Sequence, residues 1–245
     1  MTSMELREIL RRATSAPAHA PSEADLRDTR VAGLALPRRA TVALLAATAL
    51  VLLDVTRALV TPELLGLPAG SEVLARAIQR LGLFLVAPLA VVVLAFRDDP
   101  RRYGLTLGEW RWGAGLLAAG IVVMTPIILG LATLPDFRAY YGRPAGSLPE
   151  VVGSYALELV SAEFVLRGFL LFALLRRIGP LAIIVVQVPF IFAHVGKPEI
   201  ELWSTFLGGT VFAWLNWRTG SILWSALGHL SILSLMLVAA GGVTG

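Results

Sequence analysis

The stretch VVGSYALELVSAEFVLRGFLLFALL, residues 151–175, decides the fold of this chain. It is apolar and long enough to cross a bilayer, which takes roughly 20 helical residues. Three ionisable residues nevertheless lie within it, Glu158, Glu163 and Arg167. A charged side chain at the centre of a membrane-spanning helix costs at least about 2.5 kcal/mol. Such residues therefore predict a functional site that faces the interior of a membrane protein.

Apolar runs of comparable character recur on both sides of this stretch. They predict about seven transmembrane helices, with a range of six to eight because the fifth and the sixth are short. The predicted helices are residues 40–59, 78–96, 113–134, 151–175, 181–194, 202–217 and 221–240. The predicted fold class is therefore all-α, a polytopic membrane helix bundle.

The composition supports a membrane protein and limits its chemistry. Of 245 residues, 56% are hydrophobic and 16% are charged, which leaves too few polar residues to cover a water-soluble globule. The chain has no cysteine, so disulfides, a thiol nucleophile and thiolate metal ligands are excluded. The net charge of +4 indicates contact between basic loops and anionic lipid headgroups, and no nucleic-acid partner is predicted.

The arginines predict the topology, because short cytoplasmic loops collect basic residues. Arg101 and Arg102 follow the second predicted helix, and Arg176 follows the fourth. This places the N-terminus inside, with residues 1–39 as a disordered cytoplasmic tail and residues 40–150 as N-terminal transmembrane helices. Lysine occurs once, and this strong preference for arginine suggests a bacterial protein, hence one of the inner membrane.

Two histidines lie in apolar surroundings, His194 at the end of the fifth predicted helix and His229 inside the seventh. A single buried histidine is more often structural, but two on separate helices with the carboxylate of Glu163 can activate water. The carboxylate would take the proton, one imidazole would orient the water, and the other would stabilise an oxyanion. The same three groups could instead bind a divalent metal such as zinc, and the sequence leaves both possibilities open. Arg167 lies four residues after Glu163 and is expected to pair with it.

Other ways of activating a nucleophile within a membrane find less support in the sequence. The membrane serines Ser204, Ser225 and Ser231 lack a G-x-S-x-G context, so a rhomboid-like serine protease is not predicted. Asp54 is the only aspartate inside a predicted span, which excludes a presenilin-like aspartate pair. The HExxH zinc motif is absent from the sequence.

Three short motifs on successive predicted helices resemble a known family. They are AEFVLRG at residues 162–168, FIFAH at residues 190–194 and GHLSIL around His229, with the last motif at residues 229–233. Their order and spacing are similar to the EExxxR, FxxxH and HxxxN or HxxxD motifs of the CPBP family, the CAAX protease and bacteriocin-processing group. That family includes the type II CAAX prenyl proteases, and the resemblance marks residues 151–240 as the catalytic helices.

The resemblance implies an intramembrane endopeptidase that hydrolyses a peptide bond in a membrane-associated protein or peptide. It implies catalytic roles for Glu163, Arg167, His194 and His229. Whether the enzyme is a glutamic or a metal-dependent protease stays open, and a metal, if bound, would be held by Glu163, His194 and His229. No motif for recognition of a prenyl group is found in the chain.

The chain departs from the family motifs at two positions. Ala162 stands where the family has its first glutamate, the usual base, and Leu233 replaces the Asn or Asp of the third motif. Glu163 is the first candidate for a substitute base, followed by Glu158 and Glu201. These departures favour an alternative function as a catalytically inactive scaffold, immunity or accessory protein. A small transporter with an ion path along the buried polar residues is a further alternative.

Overall fold

The protein is described by a computed structural model of residues 4, 7, 15–17, 19–143 and 146–243. Helices account for 72% of the structure, and there is almost no sheet. The helices are α1 (Glu23–Leu26), α2 (Arg38–Thr56), α3 (Glu72–Ala95), α4 (Trp110–Leu131), α5 (Pro135–Tyr141), α6 (residues 148–178), α7 (residues 182–192), α8 (Glu199–Thr219) and α9 (Leu223–Ala240). Helix lies at all seven predicted positions, which confirms the all-α polytopic bundle.

Within the described residues, five helical stretches are long and apolar enough to cross a membrane. They are Arg38–Thr56, Glu72–Ala95, Trp110–Leu131, Leu148–Phe192 and Leu223–Ala240. The fourth contains 45 residues, or about 68 Å of helix, roughly twice the thickness of the hydrocarbon core. A positive φ of 61° at Gly179 and the 3₁₀ turn Gly179–Leu181 divide it into α6 and α7. The predicted fourth and fifth helices are therefore separate segments.

Helix α6 forms the centre of the bundle, and its middle is π-helical at Phe164–Leu170. All residues of this π-helical turn are buried. The turn packs against α2, α3 and the 3₁₀ helix Pro100–Tyr103. Wider π turns of this kind are frequent at functional sites, and this one carries Arg167. Two further π-helical stretches, Leu81–Val86 and Val91–Ala95, lie within α3.

Helix α9 lies beside α6 and packs against α4, α6 and α8. A second apolar cluster joins α4, α6 and α9 to α5 and includes Phe137, Tyr141, Val151 and Met236. Large apolar side chains on the outer faces are exposed, for example Val122 on α4 at 73%. Such a surface suits lipid, since the bundle hides its polar side chains inside.

The prediction that residues 1–39 form a disordered tail is wrong for the part that the structure describes. Helix α1 is followed by an antiparallel hairpin, β1 (Asp28–Val31) and β2 (Leu34–Pro37), which leads directly into α2. Asp25 on α1 is 4% exposed and accepts hydrogen bonds of 2.8 Å from Arg39 and from Arg102. Burial alone would raise the pKa of Asp25, but these hydrogen bonds hold it well below its ordinary value. Long-range ion pairs thus order a segment whose composition is polar.

Candidate active site

Glu163 is the last residue before the π-helical turn of α6 and is fully buried, at 0% exposure. Its Oε1 accepts hydrogen bonds from the Arg167 guanidinium and, at 3.1 Å, from Nδ1 of His229. Its Oε2 accepts a hydrogen bond of 2.7 Å from the Ser225 hydroxyl. A carboxylate with no exposed surface requires such partners, because an unpaired buried charge is very costly.

Arg167 forms the predicted i, i+4 pair with Glu163 and is itself 1% exposed. Its guanidinium carbon lies 4.0 Å from the centre of the Phe190 ring on α7 and 5.5 Å from that of Phe212 on α8. These rings supply cation–π attraction to a guanidinium that is almost entirely buried. Nε and Nη2 of Arg167 have no hydrogen-bond partner among the described residues. They remain available to an oxygen of a bound molecule.

His194 follows α7 and is 8% exposed. Its Nδ1 lies 2.9 Å from the carbonyl oxygen of Phe190, one helical turn earlier. A carbonyl can only accept a hydrogen bond, so Nδ1 carries the proton and Nε2 carries a lone pair. Burial, followed by the nearby charge of Lys197, lowers the pKa of His194 to about 2, so the ring is neutral.

His229 on α9 has the same tautomer for a different reason. Its Nδ1 donates to the carboxylate of Glu163, so in the neutral form of the ring the lone pair lies on Nε2. The rings of His194 and His229 are 6.3 Å apart between centroids and nearly parallel, with 16° between their planes. Neither Nε2 atom has a hydrogen-bond partner in the described part of the chain. The pair therefore presents two acceptors suited to the hydrogens of one water molecule.

The structure thus brings the three predicted segments together. Glu163, Arg167 and His229 are in direct contact, and His194 stacks beside His229 and shares Phe190 with Arg167. The residues do not fit the three-ligand zinc site that the sequence left open. Both oxygens of Glu163 are held by side chains, and no group of three or more His, Asp or Glu among the described residues is arranged to hold a metal ion.

Ser225 is the site residue that sequence analysis missed, since it was weighed only as a nucleophile. It is 0% exposed and donates to Glu163 across 62 positions of sequence. The signal was available, because Ser225 lies four residues before His229 and therefore on the same face of α9. Gly209 on α8 also lies close to the site, because a Cβ at this position would be 2.6 Å from the Phe190 ring.

The two alternative carboxylates have partners elsewhere. Glu158 pairs with Arg80 on α3, which also binds Asp54 on α2 at 2.8 Å. Glu201 binds Lys197 and the hydroxyl of Tyr141, the latter at 2.6 Å. Each of them is therefore part of an ion-pair cluster separate from that of Glu163.

The two positions that depart from the motifs provide no polar group. Ala162 packs on the main apolar core, and Leu233 packs in the second apolar cluster. Neither position can therefore hold a water molecule by a hydrogen bond from its side chain.

Comparison with known proteins gives a match over part of the chain. Residues 144–234, somewhat more than a third of the chain, match the family described as type II CAAX prenyl endopeptidase, Rce1-like. No protein of curated function and no solved structure matches the chain. The five apolar helices and the family together identify an integral membrane protein. Over residues 144–234, which contain all three motifs, the chain is similar to the Rce1-like type II CAAX prenyl endopeptidase family.

Proposed function

We propose that this protein is an intramembrane endopeptidase that hydrolyses a peptide bond in a membrane-associated protein or peptide. The observation that carries the proposal is the hydrogen bond between the buried carboxylate of Glu163 and Nδ1 of His229. This arrangement fixes the imidazole with its Nε2 lone pair free, as required of a general base. The match of residues 144–234 to a family of endopeptidases supports the same reaction class.

His229, rather than Glu163, is the proposed general base. Both oxygens of Glu163 already accept hydrogen bonds, so the carboxylate orients the imidazole and stabilises its protonated form. Nε2 of His229 takes a proton from water as the water oxygen attacks the carbonyl carbon of the substrate. When the tetrahedral intermediate collapses, the same nitrogen returns the proton to the amine that leaves.

His194 and Arg167 have supporting roles in this proposal. Nε2 of His194 is an unprotonated acceptor, so it holds the second hydrogen of the attacking water and cannot donate to an oxyanion. The unpartnered Nε and Nη2 of Arg167 are suited to the carbonyl oxygen of the substrate, or to the negative charge that develops there. Ser225 holds the second oxygen of Glu163 and keeps that carboxylate oriented.

The membrane topology predicted from the sequence is also part of the proposal. Residues 40–150 would form an N-terminal transmembrane unit and residues 151–240 the catalytic helices. The N-terminus would lie on the cytoplasmic side of a bacterial inner membrane, as the arginines of the short loops indicate.

The test is cleavage of a membrane-anchored reporter peptide by the full chain in proteoliposomes. His229→Gln removes the base, and Glu163→Gln removes the group that orients and charges it, so each should reduce the rate about 100-fold or more. Glu199→Gln is the matched control, because Glu199 is an exposed carboxylate in the first turn of α8. Unchanged cleavage in both site variants, with thermal unfolding like that of the wild type, would refute the assignment.

A second candidate function is a catalytically inactive member of the family that binds membrane proteins. It is favoured by the apolar side chains at Ala162 and Leu233 and by the saturated hydrogen bonds of Glu163. It predicts that the wild-type chain and His229→Gln capture the same membrane protein equally well while neither cleaves it. Cleavage by the wild type, with none by His229→Gln, would exclude this alternative.

A further inference from the structure

A polar cavity lies apart from the Glu163 cluster. Its volume is about 310 Å³, and none of Glu163, His194 or His229 lines it. Its walls come from the loop between α3 and α4, the end of α6 and the turn between α8 and α9. The charged residues of the lining are Arg101, Arg102, Glu109 and Arg176.

Arg176 is the buried cation of this cavity, with 6% exposure. Its Nη2 donates to the carbonyl oxygen of Arg102, and its guanidinium carbon lies 4.5 Å from the centre of the Tyr103 ring. Its Nη1 is buried and has no partner among the described residues. A buried guanidinium with a free N–H group and no acidic partner favours the binding of an anion.

The remaining charges leave the cavity positive. Arg102 is neutralised by Asp25 and Asp98, at 2.8 and 2.7 Å. The side chain of Arg101 forms no ion pair with a described residue, and Glu109 is the only carboxylate in the lining. Two unpaired guanidinium groups therefore face one carboxylate.

The N-terminal segment closes one side of the cavity. Pro17 and His19 belong to its lining, and Nε2 of His19 lies 2.8 Å from the carbonyl oxygen of Trp217 on α8. The ring of His19 also packs 5.2 Å from that of Phe172. The cavity is thus a formed pocket with protein on several sides.

We propose that this pocket binds a phosphate group, either that of a lipid headgroup or that of a free phosphate compound. The planar forks of arginine match phosphate oxygens, and several of them converge here from different segments. The volume lies at the lower end of the range for small-molecule pockets, which suits a phosphate with a small substituent. Arg176 lies near the end of a membrane-spanning helix, where lipid headgroups are found.

The test uses the full chain in an uncharged detergent at constant ionic strength. One series is titrated with inorganic phosphate, and another with phosphatidylglycerol, with diacylglycerol as the lipid that lacks phosphate. The readouts are the thermal unfolding midpoint and the number of ligand molecules retained in native mass spectrometry. The wild type should show saturable stabilisation and one bound ligand.

Variants of the residues that line the pocket distinguish binding at a specific site from attraction by the net charge of the protein. Arg101→Gln should weaken binding about tenfold, because it removes one charge-assisted hydrogen bond, while Glu109→Gln should strengthen it. Arg101 is exposed, so its variant keeps the test valid even if Arg176→Gln fails to fold. Arg111→Gln is the matched control, since Arg111 is an exposed arginine stacked on Trp110 outside the pocket.

The two series distinguish the source of the phosphate. Saturation by phosphatidylglycerol with little effect of inorganic phosphate supports a lipid headgroup, and comparable effects of both support a free phosphate compound. Equal losses in Arg101→Gln and Arg111→Gln would show attraction by net charge alone and overturn the proposal. Absence of saturable binding in both series would overturn it as well.

Discussion

Gly208 and Gly209 are adjacent in α8, yet the addition of one methyl group should have opposite effects at the two positions. At Gly209 a Cβ would lie 2.1 Å from Oε1 of Gln187 and 2.6 Å from the Phe190 ring. At Gly208 nothing lies within 4 Å of the added atom. Carbon atoms pack at about 3.5–4.0 Å, so the Phe190 ring would have to retreat by roughly 1 Å.

The neighbours of Gly209 cannot retreat easily. Gln187 is 1% exposed, and its Nε2 donates to the carbonyl oxygen of Ile183 at 2.7 Å. Phe190 is 6% exposed and is held under the Arg167 guanidinium. Overpacking of this kind costs about 1–3 kcal/mol. Both alanines gain about 0.8–1.0 kcal/mol of helix propensity, so the difference between the two variants isolates the overpacking.

The assay is thermal unfolding of the two variants and the wild type in the same detergent. Gly208→Ala should unfold at or above the wild-type midpoint, and Gly209→Ala should unfold about 2–12 °C below Gly208→Ala. Since His194 is hydrogen bonded to Phe190, only Gly209→Ala should also slow reporter cleavage. Equal midpoints and equal cleavage rates would refute the close packing of α7 on α8 beside the candidate site.

Three further predictions concern buried charges. Arg167→Met leaves the carboxylate of Glu163 buried without its cation and should destabilise the protein by about 3–5 kcal/mol in chemical unfolding. Arg177→Met, which breaks an exposed pair, should cost at most about 1 kcal/mol, and equal losses would contradict the argument. Arg80→Met removes the shared partner of the buried carboxylates of Asp54 and Glu158 and should also lower the free energy of unfolding by about 3–5 kcal/mol. A decrease below about 1 kcal/mol would show that water reaches these carboxylates. Burial alone would raise the pKa of Asp25, but its hydrogen bonds lower that pKa in the folded state. The stability that Asp25 contributes is therefore present above about pH 3.9 and is lost as the pH falls toward the folded-state pKa. In melts from pH 7 to pH 3, Asp25→Asn should therefore lose less stability on acidification than the wild type, and identical slopes would contradict this role.

The local features of the chain were predictable from its sequence. Seven apolar stretches became helices at the expected positions, because hydropathy and length act over neighbouring residues. The pairing of Glu163 with Arg167 followed from their i, i+4 spacing.

Features that depend on distant residues were predicted less well. The expected disorder of the N-terminal tail is wrong in its described part, because Asp25 meets Arg39 and Arg102, and composition alone does not reveal ion pairs between distant segments. The proposed role of Glu163 also changed. A free carboxylate could act as a base, but the hydrogen bonds from Ser225 and His229 occupy both oxygens of Glu163 and favour the proposed role of orienting an imidazole.

The sequence by itself determined that this protein resides in a membrane, that its helices lie where the apolar runs do, and that thiol chemistry is excluded by the lack of cysteine. Only the tertiary structure decided which atoms of those groups stay free. The Nε2 lone pairs of His194 and His229 follow from the partners of their Nδ1 atoms, a carbonyl on the preceding turn and a carboxylate on another helix. A side chain keeps the same chemical groups wherever it lies, but its tautomer and its available hydrogen bonds depend on the neighbours that packing supplies.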